Sequence, residues 1–247
     1  MKKFVKMFAL AVMLFAGGQM IGQTHGYMYL GASFPMSSFG YGSSFTNIAL
    51  SGNYDDGGAG IGFNAGFKWN FGVGVKGLNV MLSVDGFYNG PNSNMKDDYK
   101  NVKKEWEKWN ENVSLTSAKY INVPAMLGLH YCYYINPMLG VYAEAAAGGN
   151  MGFITDYTVK GTSKLFEKKN SEVFDYENSF GFAWQAGVGL EVSKNLVLGC
   201  SFYDLGTSQV KGEIAHIVEG EGLPSVDINK NANLHPVMVL GRIGFRF

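Results

Sequence analysis

The chain ends in a stretch that admits one kind of backbone. Over residues 236–247, Val237, Val239, Gly241, Ile243, Phe245 and Phe247 fall on one side of an extended chain. Met238, Leu240, Arg242, Gly244 and Arg246 fall on the other. A helix would scatter the two arginines around its circumference, whereas a strand sets both on one face. The same period of two recurs at 179–193, where Phe180, Phe182, Trp184, Ala186, Val188, Leu190 and Val192 oppose Gly181, Gln185, Gly187, Gly189 and Glu191. It recurs at 59–71 and 78–88, and less cleanly at 26–35, 119–134, 138–157 and 196–203. That makes eight candidate strands. Most are at least as long as the roughly nine to eleven residues a tilted strand needs to cross a bilayer.

Composition agrees with this pattern. The chain has 34 Gly and 15% aromatic residues against 6 Pro, with 16% charged and 47% hydrophobic residues, which excludes a disordered chain. Lys+Arg and Asp+Glu are both 20, so no basic excess points to nucleic acid. The first six residues are basic and residues 7–17 form a short apolar run followed by Gly17, Gly18 and Gly22. This is the three-part pattern of a secretory signal, expected over 1–23, with the working domain over 24–247. Without Lys2, Lys3 and Lys6 the remainder is slightly acidic.

The links between strands alternate in length. Long ones run over 36–58, 91–118, 158–178 and 207–234; short ones centre on 72–76, 136–137 and 194–195. Such alternation gives an up-and-down meander whose long loops emerge at one end and whose two termini share the other. A secreted soluble barrel of lipocalin type is the main competitor, but it keeps its apolar residues inside. Here the continuous Val/Leu/Phe/Trp face opposes Gly, Ser, Asn, Tyr and charges, which suits hydrocarbon outside and a polar lumen. The expectation is an all-β fold: an eight-stranded antiparallel up-and-down transmembrane β-barrel, with a short helix in the second outer loop. It would sit in the bacterial outer membrane with both termini periplasmic.

Six charges then face inward. Asp85, Glu144 and Arg242 are expected near mid-depth, and Lys68, Glu191 and Arg246 nearer the periplasmic end. Each group contains both signs, and an unpaired buried charge is very costly, so two salt-bridged layers and a plugged lumen are predicted. Rim snorkelling is the alternative for Lys68 and Arg246. Outward aromatics gather near the strand ends: Trp69, Phe71, Tyr133, Phe245 and Phe247 at one, Phe34, Tyr88, Phe153 and Phe180 at the other. In the second loop, Tyr99, Val102, Trp106, Trp109 and Val113 recur at three and four spacing, an apolar stripe on an amphipathic helix over 97–113. Packing as a lid on neighbouring loops is favoured over contact with a partner or glycan.

Catalytic signals are weak. His25, His130, His216 and His235 form no metal-ligand spacing. His130 faces Glu144 but reads as a satisfied interior contact, and the Gly-rich pieces lack the helix and Lys of a phosphate cradle. Cys132 and Cys200 point to opposite faces of non-neighbouring strands, so two free thiols are expected. No catalytic residue, cofactor or metal is assigned.

Two segments resemble a known group. Val239, Gly241, Ile243, Phe245 and the terminal Phe247 look like the C-terminal assembly signal of bacterial outer-membrane barrels. In that family the signal is read by the barrel-insertion machinery, which the resemblance implies as a partner during biogenesis. The segment 120–131 (YINVPAMLGLHY) looks like the mid-barrel stretch of Bacteroidetes-type outer-membrane β-barrel domain proteins, a porin-like group of OmpX/OmpA architecture. Asn122 stands where that group often has Glu. The resemblance implies a fold and a membrane, not an activity. The function expected is therefore structural, adhesive or recognition work through surface loops, without enzymatic chemistry. Outer-membrane lipid is the expected surrounding, and any surface ligand or envelope protein goes unnamed. The alternatives are a narrow porin-like channel for small solutes and an accessory subunit of a secretion or assembly complex.

Overall fold

The computed structural model describes residues 24–36, 59–193, 195–219, 221–222 and 226–247. The signal segment expected over 1–23 and nearly all of the first long link lie outside them.

Eight strands close on themselves. In chain order they are β1 (Thr24–Pro35), β2 (Ala59–Gly72), β3 (Leu78–Pro91), β5 (Tyr120–Asn136), β6 (Leu139–Ile154), β9 (Ser179–Val192), β10 (Leu196–Asp204) and β14 (Val237–Arg246). Each pairs antiparallel with its sequence neighbour in the barrel, and β1 pairs β14 to complete the ring. Gly26 and Phe247 exchange both backbone hydrogen bonds at 2.9 Å, so the closing seam runs to the last residue. Closure leaves no unpaired sheet edge, which is what a backbone in hydrocarbon requires.

The alternation seen in the sequence sorts the side chains. Leu30, Ile61, Phe63, Leu127, Phe182 and Phe245 are exposed on the outer wall, while Tyr29, Asn64, Lys68, Asp85, Glu144 and Arg242 are buried within. A soluble monomer rarely exposes an apolar patch beyond a few hundred Å², so the solvent of this wall is hydrocarbon and the fold is a transmembrane barrel. Phe34 and Phe180 at one end, and Tyr133, Phe245 and Phe247 at the other, are exposed where ring side chains meet headgroups. Val237 is buried although its parity points outward.

The lumen is more apolar at one end than the polar interior expected. On the long-loop side of Arg242 it is filled by Phe87, Tyr203, Leu205, Met238 and Leu240, all almost fully buried in one apolar cluster. An eight-stranded cylinder is just wide enough for side chains to fill.

The second, third and fourth long links are more regular than loops where they are described. After β3 comes helix α1 (Ser93–Trp109), then β4 (Asn110–Thr116). The link expected over 158–178 is a hairpin, β7 (Tyr157–Ser163) and β8 (Lys169–Tyr176), and the last link holds β11 (Ser208–Val218), β12 (Glu221–Gly222) and β13 (Val226–Leu234). These six strands form a second sheet in the order β12-β11-β8-β7-β4, with β13 also on β11. The Asn92 side chain caps α1 by accepting from the Met95 amide at 2.9 Å. The helix therefore begins earlier and ends earlier than its apolar spacing over 97–113 suggested. Val113 lies on β4, not on the helix.

Candidate functional site

The inward charges form two hydrogen-bonded sets with His130 between them, and the set nearer mid-depth gathers Lys68 and Asp85 with Arg242 and Glu144. Glu144 is its hub: Lys68 Nζ donates to Oε2 at 2.5 Å, and Arg242 Nη2 donates to Oε1 at 2.9 Å. His130 Nδ1 lies 3.3 Å from the same Oε2, and its Nε2 lies 3.6 Å from Glu191 Oε1. Glu191 accepts from Tyr27 at 2.7 Å, Tyr134 at 2.5 Å and Arg246 at 2.7 Å. Asp85 meets Arg242 through a tyrosine: Arg242 Nη1 donates to the Tyr203 hydroxyl at 3.0 Å, and that hydroxyl donates to Asp85 Oδ2 at 3.0 Å. Tyr29 and Asn64 donate to Asp85 Oδ1 at 2.5 and 3.1 Å. Lys68 is buried within the lumen instead of snorkelling; its long stem carries the ammonium across to Glu144, out of the row its Cα occupies.

Room for these side chains comes from small neighbours in register. Asp85 stands beside Gly66, Glu144 beside Gly187, and Arg242 between Gly31 and Gly199. A Cβ on Gly66 would lie 2.5 Å from Asp85 Oδ1 and 2.8 Å from the Tyr29 hydroxyl. The glycine excess of the sequence is thus partly the complement of its buried charges. Aromatic faces line the same space, with Lys68 Nζ 4.9 Å from the Tyr27 ring centroid and the Arg242 guanidinium 4.6 Å from that of Tyr29. The cavity these groups leave, bounded by Tyr27, Tyr29, Lys68, Tyr142 and Arg242, is only about 10 Å³. That is room for about one water. The inward tyrosines share the parity of the charges, but which carboxylate each hydroxyl reaches depends on the barrel's stagger.

Chemistry beyond this is sparse. Among the described residues no group of three His, Cys, Asp or Glu could hold a metal ion. Cys132 is buried, Cys200 is exposed, and neither is in a disulfide. In the C-terminal segment Gly241, Ile243, Phe245 and Phe247 are exposed on the outer wall, with Val239 half-buried.

The outer layer has its own core. Tyr99 stacks on Tyr157 at 5.1 Å, Ala118, Val159 and Phe174 complete the buried set, and Val102, Trp106 and Val113 pack against it. The helix covers one face of the sheet in this way. Burial pushes the Tyr99 hydroxyl up to about 12. Trp109 does not join: its side chain is 69% exposed. The helix stripe ends one turn earlier because Trp109 is its last residue and the chain leaves as a strand from there. On the sheet, an open cleft of about 460 Å³ is bounded by Asn112, Lys160, Thr162, Lys169, Glu219 and the exposed Ile217, among others. Asn112 there has a positive φ of 53° within a bulge of β4.

Comparison with known proteins gives a likeness of architecture. No protein-family model matches the chain, and no curated protein matches it in sequence. Among solved structures it is similar to a major outer-membrane protein of Thermus thermophilus, at 12% identity and a TM-score of 0.49, covering 91% of this chain and 99% of that one. It is also similar to the outer-membrane protein OprG of Pseudomonas aeruginosa, at 11% identity and a TM-score of 0.47, covering 90% and 95%. A third is Ail, the attachment invasion locus protein of Yersinia pestis, at 14% identity and a TM-score of 0.40, covering 92% and 100%. Two of these three are named as outer-membrane proteins.

Proposed function

We propose that the protein is an integral outer-membrane barrel that holds a folded recognition platform at the cell surface and carries out no enzymatic chemistry. The observation that carries this is the contrast between its two halves. The lumen is closed by a salt-bridged network and an apolar plug, while the long links are built into a helix-backed sheet with a hydrophobic core of its own. Ordering that many residues costs of the order of 1–2 kcal/mol each in backbone entropy, which loops serving only as connections would have no reason to incur. The signal segment over 1–23, periplasmic termini, and assembly by the barrel-insertion machinery through the C-terminal Phe247 all belong to this reading. So does membership of the Bacteroidetes-type group suggested by residues 120–131. A narrow channel is the reading the closed lumen argues against.

Two measurements test the proposal. Protease added to intact cells should cut within residues 158–178 or 207–234 and spare the short turns. Folded protein in a planar bilayer should pass no steady ion current. Cleavage confined to the short turns would reverse the topology, and a stable conductance would replace the platform with a pore.

A further inference from the structure

The barrel strands differ in length, and the lengths change in order around the ring. β5 and β6 have 17 and 16 residues, their neighbours β3 and β9 have 14 each, and β1, β14 and β10 have 12, 10 and 9. In the closed order β5 and β6 stand across the cylinder from β1 and β14. Following paired residues once around the ring from His25 returns to β1 at Pro35, ten residues further along. Spread over the strands, that stagger tilts each by about 40°, so each residue climbs about 2.5 Å along the axis. It also sets the outward Leu127, Ala145, Cys200 and Ile243 at one depth, to within about 2 Å.

From that depth the apolar wall runs unequal distances. On β5 the outward positions are apolar from Ile121 to Tyr133, about 30 Å along the axis, and Ile135 beyond them is apolar and exposed too. On β6 they run from Val141 to Phe153, about the same height. On β10 they run only from Leu196 to Phe202, about 15 Å. Polar groups close both ends of that short run: Asn195 at the turn, and Asp204, whose carboxylate meets His235 at 2.8 Å. Exposed rings follow the same gradient. Phe34 and Phe247 lie about 23 Å apart along the axis, and Phe180 and Tyr133 about 31 Å. The apolar band of such barrels is about 25 Å tall, so one face exceeds it and the opposite face falls short. Leaning the cylinder would lift one end of a face and sink the other, which cannot serve a face short at both ends.

We infer that the face made by β10, β14 and β1 thins the bilayer beside it, packing short or disordered acyl chains, while the β5 and β6 face packs extended ones. The occupant is lipid because this face continues the wall that hydrocarbon already covers. A bilayer kept at full thickness there would cover Asp204 and His235, and deforming lipid costs less than taking such a pair out of water. Only hydrocarbon outside the wall is presupposed, not the surface platform.

Nitroxide labels test this in protein reconstituted into dioleoylphosphatidylcholine vesicles, with folding shown by heat-modifiable gel migration. Cys200→Ala removes the exposed thiol, and Cys132 is buried. Single cysteines then replace Val239 or Leu196 on the short face, and Val123 or Val141 on the tall one. Val239 and Val123 lie at similar heights above the common depth, and Leu196 and Val141 at similar heights below it. Collision rates with oxygen and with a nickel chelate give each label's depth. The Val239 and Leu196 labels should both lie about 3 Å or more nearer the headgroups than their counterparts. If Val239→Cys does not fold, Phe202→Cys against Ala147→Cys supplies the upper comparison. Equal depths at both ends overturn the inference, and so do differences of opposite sign at the two ends, which mean a rigid lean. Labels on Val123 and Val141 that meet the nickel chelate freely would overturn the hydrocarbon wall itself, a separate failure.

Discussion

Glu144 faces two cations at once, and that makes it the residue on which the lumen depends most. Replacing one member of a buried ion pair leaves the other charged and unsolvated, at about 3–5 kcal/mol. Glu144→Gln would strand both Lys68 and Arg242. Asp85 differs, because its direct partners are the hydroxyls of Tyr29 and Tyr203 and the Asn64 amide. Asp85→Asn keeps an acceptor for at least one of them and should cost about 1–3 kcal/mol. Urea unfolding of the two variants in lipid, followed by loss of heat-modifiable migration, should therefore rank Glu144→Gln as the more destabilised. An equal or reversed order would mean that Asp85 and Arg242 are coupled more tightly than the tyrosine between them indicates.

At the scale of elements, the two tryptophans of α1 separate packing from presentation. Trp106 packs on the Tyr99, Tyr157 and Phe174 core, whereas Trp109 projects into solvent. Trp106→Ala should lower the local stability of the outer layer by about 2 kcal/mol, read from faster amide exchange across α1 and β7, and Trp109→Ala should stay within about 0.5 kcal/mol. The base of the same layer holds a pH-sensitive contact. Partial burial, and then the Asp175 carboxylate beside it, raise the Asp156 carboxyl above its ordinary value of 3.8. A raised acid binds its proton more tightly when folded, so its contribution to stability is full below the ordinary value and is lost as pH rises through the folded value. Asp156→Asn should remove that pH dependence and strengthen protection of β7 and β8 at neutral pH; unchanged exchange would show that the two carboxyls do not interact in solution. Barrel strands were legible in the sequence almost to the residue, because one face is in oil and the other is not, and a slip of one position would invert both. The sheet made by β4, β7, β8 and β11 was not. Its strands are short, and they pair across whole barrel hairpins, as Asn110 does with Ser163. Val113 shows the limit: its spacing from Trp109 fits a helix, but pairing with β7 takes that part of the chain into a strand. Strand parity likewise tells which charges enter the lumen but not how far Lys68 reaches across it.

The whole molecule places two hydrophobic cores in different surroundings, and this should show in how it opens. Barrel strands such as β5 and β6 are bonded on both edges over nearly their full length, inside a wall from which hydrocarbon excludes water. Amides there have no competing partner, and opening any one strand exposes backbone groups to lipid at several kcal/mol each. The outer sheet has water around it, strands of 7 residues in β4 and β7, and a bulge between Glu111 and Ser114. Ile154 packs on both cores, and the Tyr120 hydroxyl of the barrel reaches the Met95 sulfur of the outer layer at 3.7 Å. Protection should therefore fall into two classes, with β7 and β8 exchanging at least about a hundredfold faster than the centres of β5 and β6. Rising urea should erase the slow class of the outer layer while the barrel still runs as a compact species on a gel. A single protection class, lost in one step across both layers, would make the platform and the barrel one cooperative unit; two classes would leave the platform free to vary in sequence without endangering the cylinder that carries it.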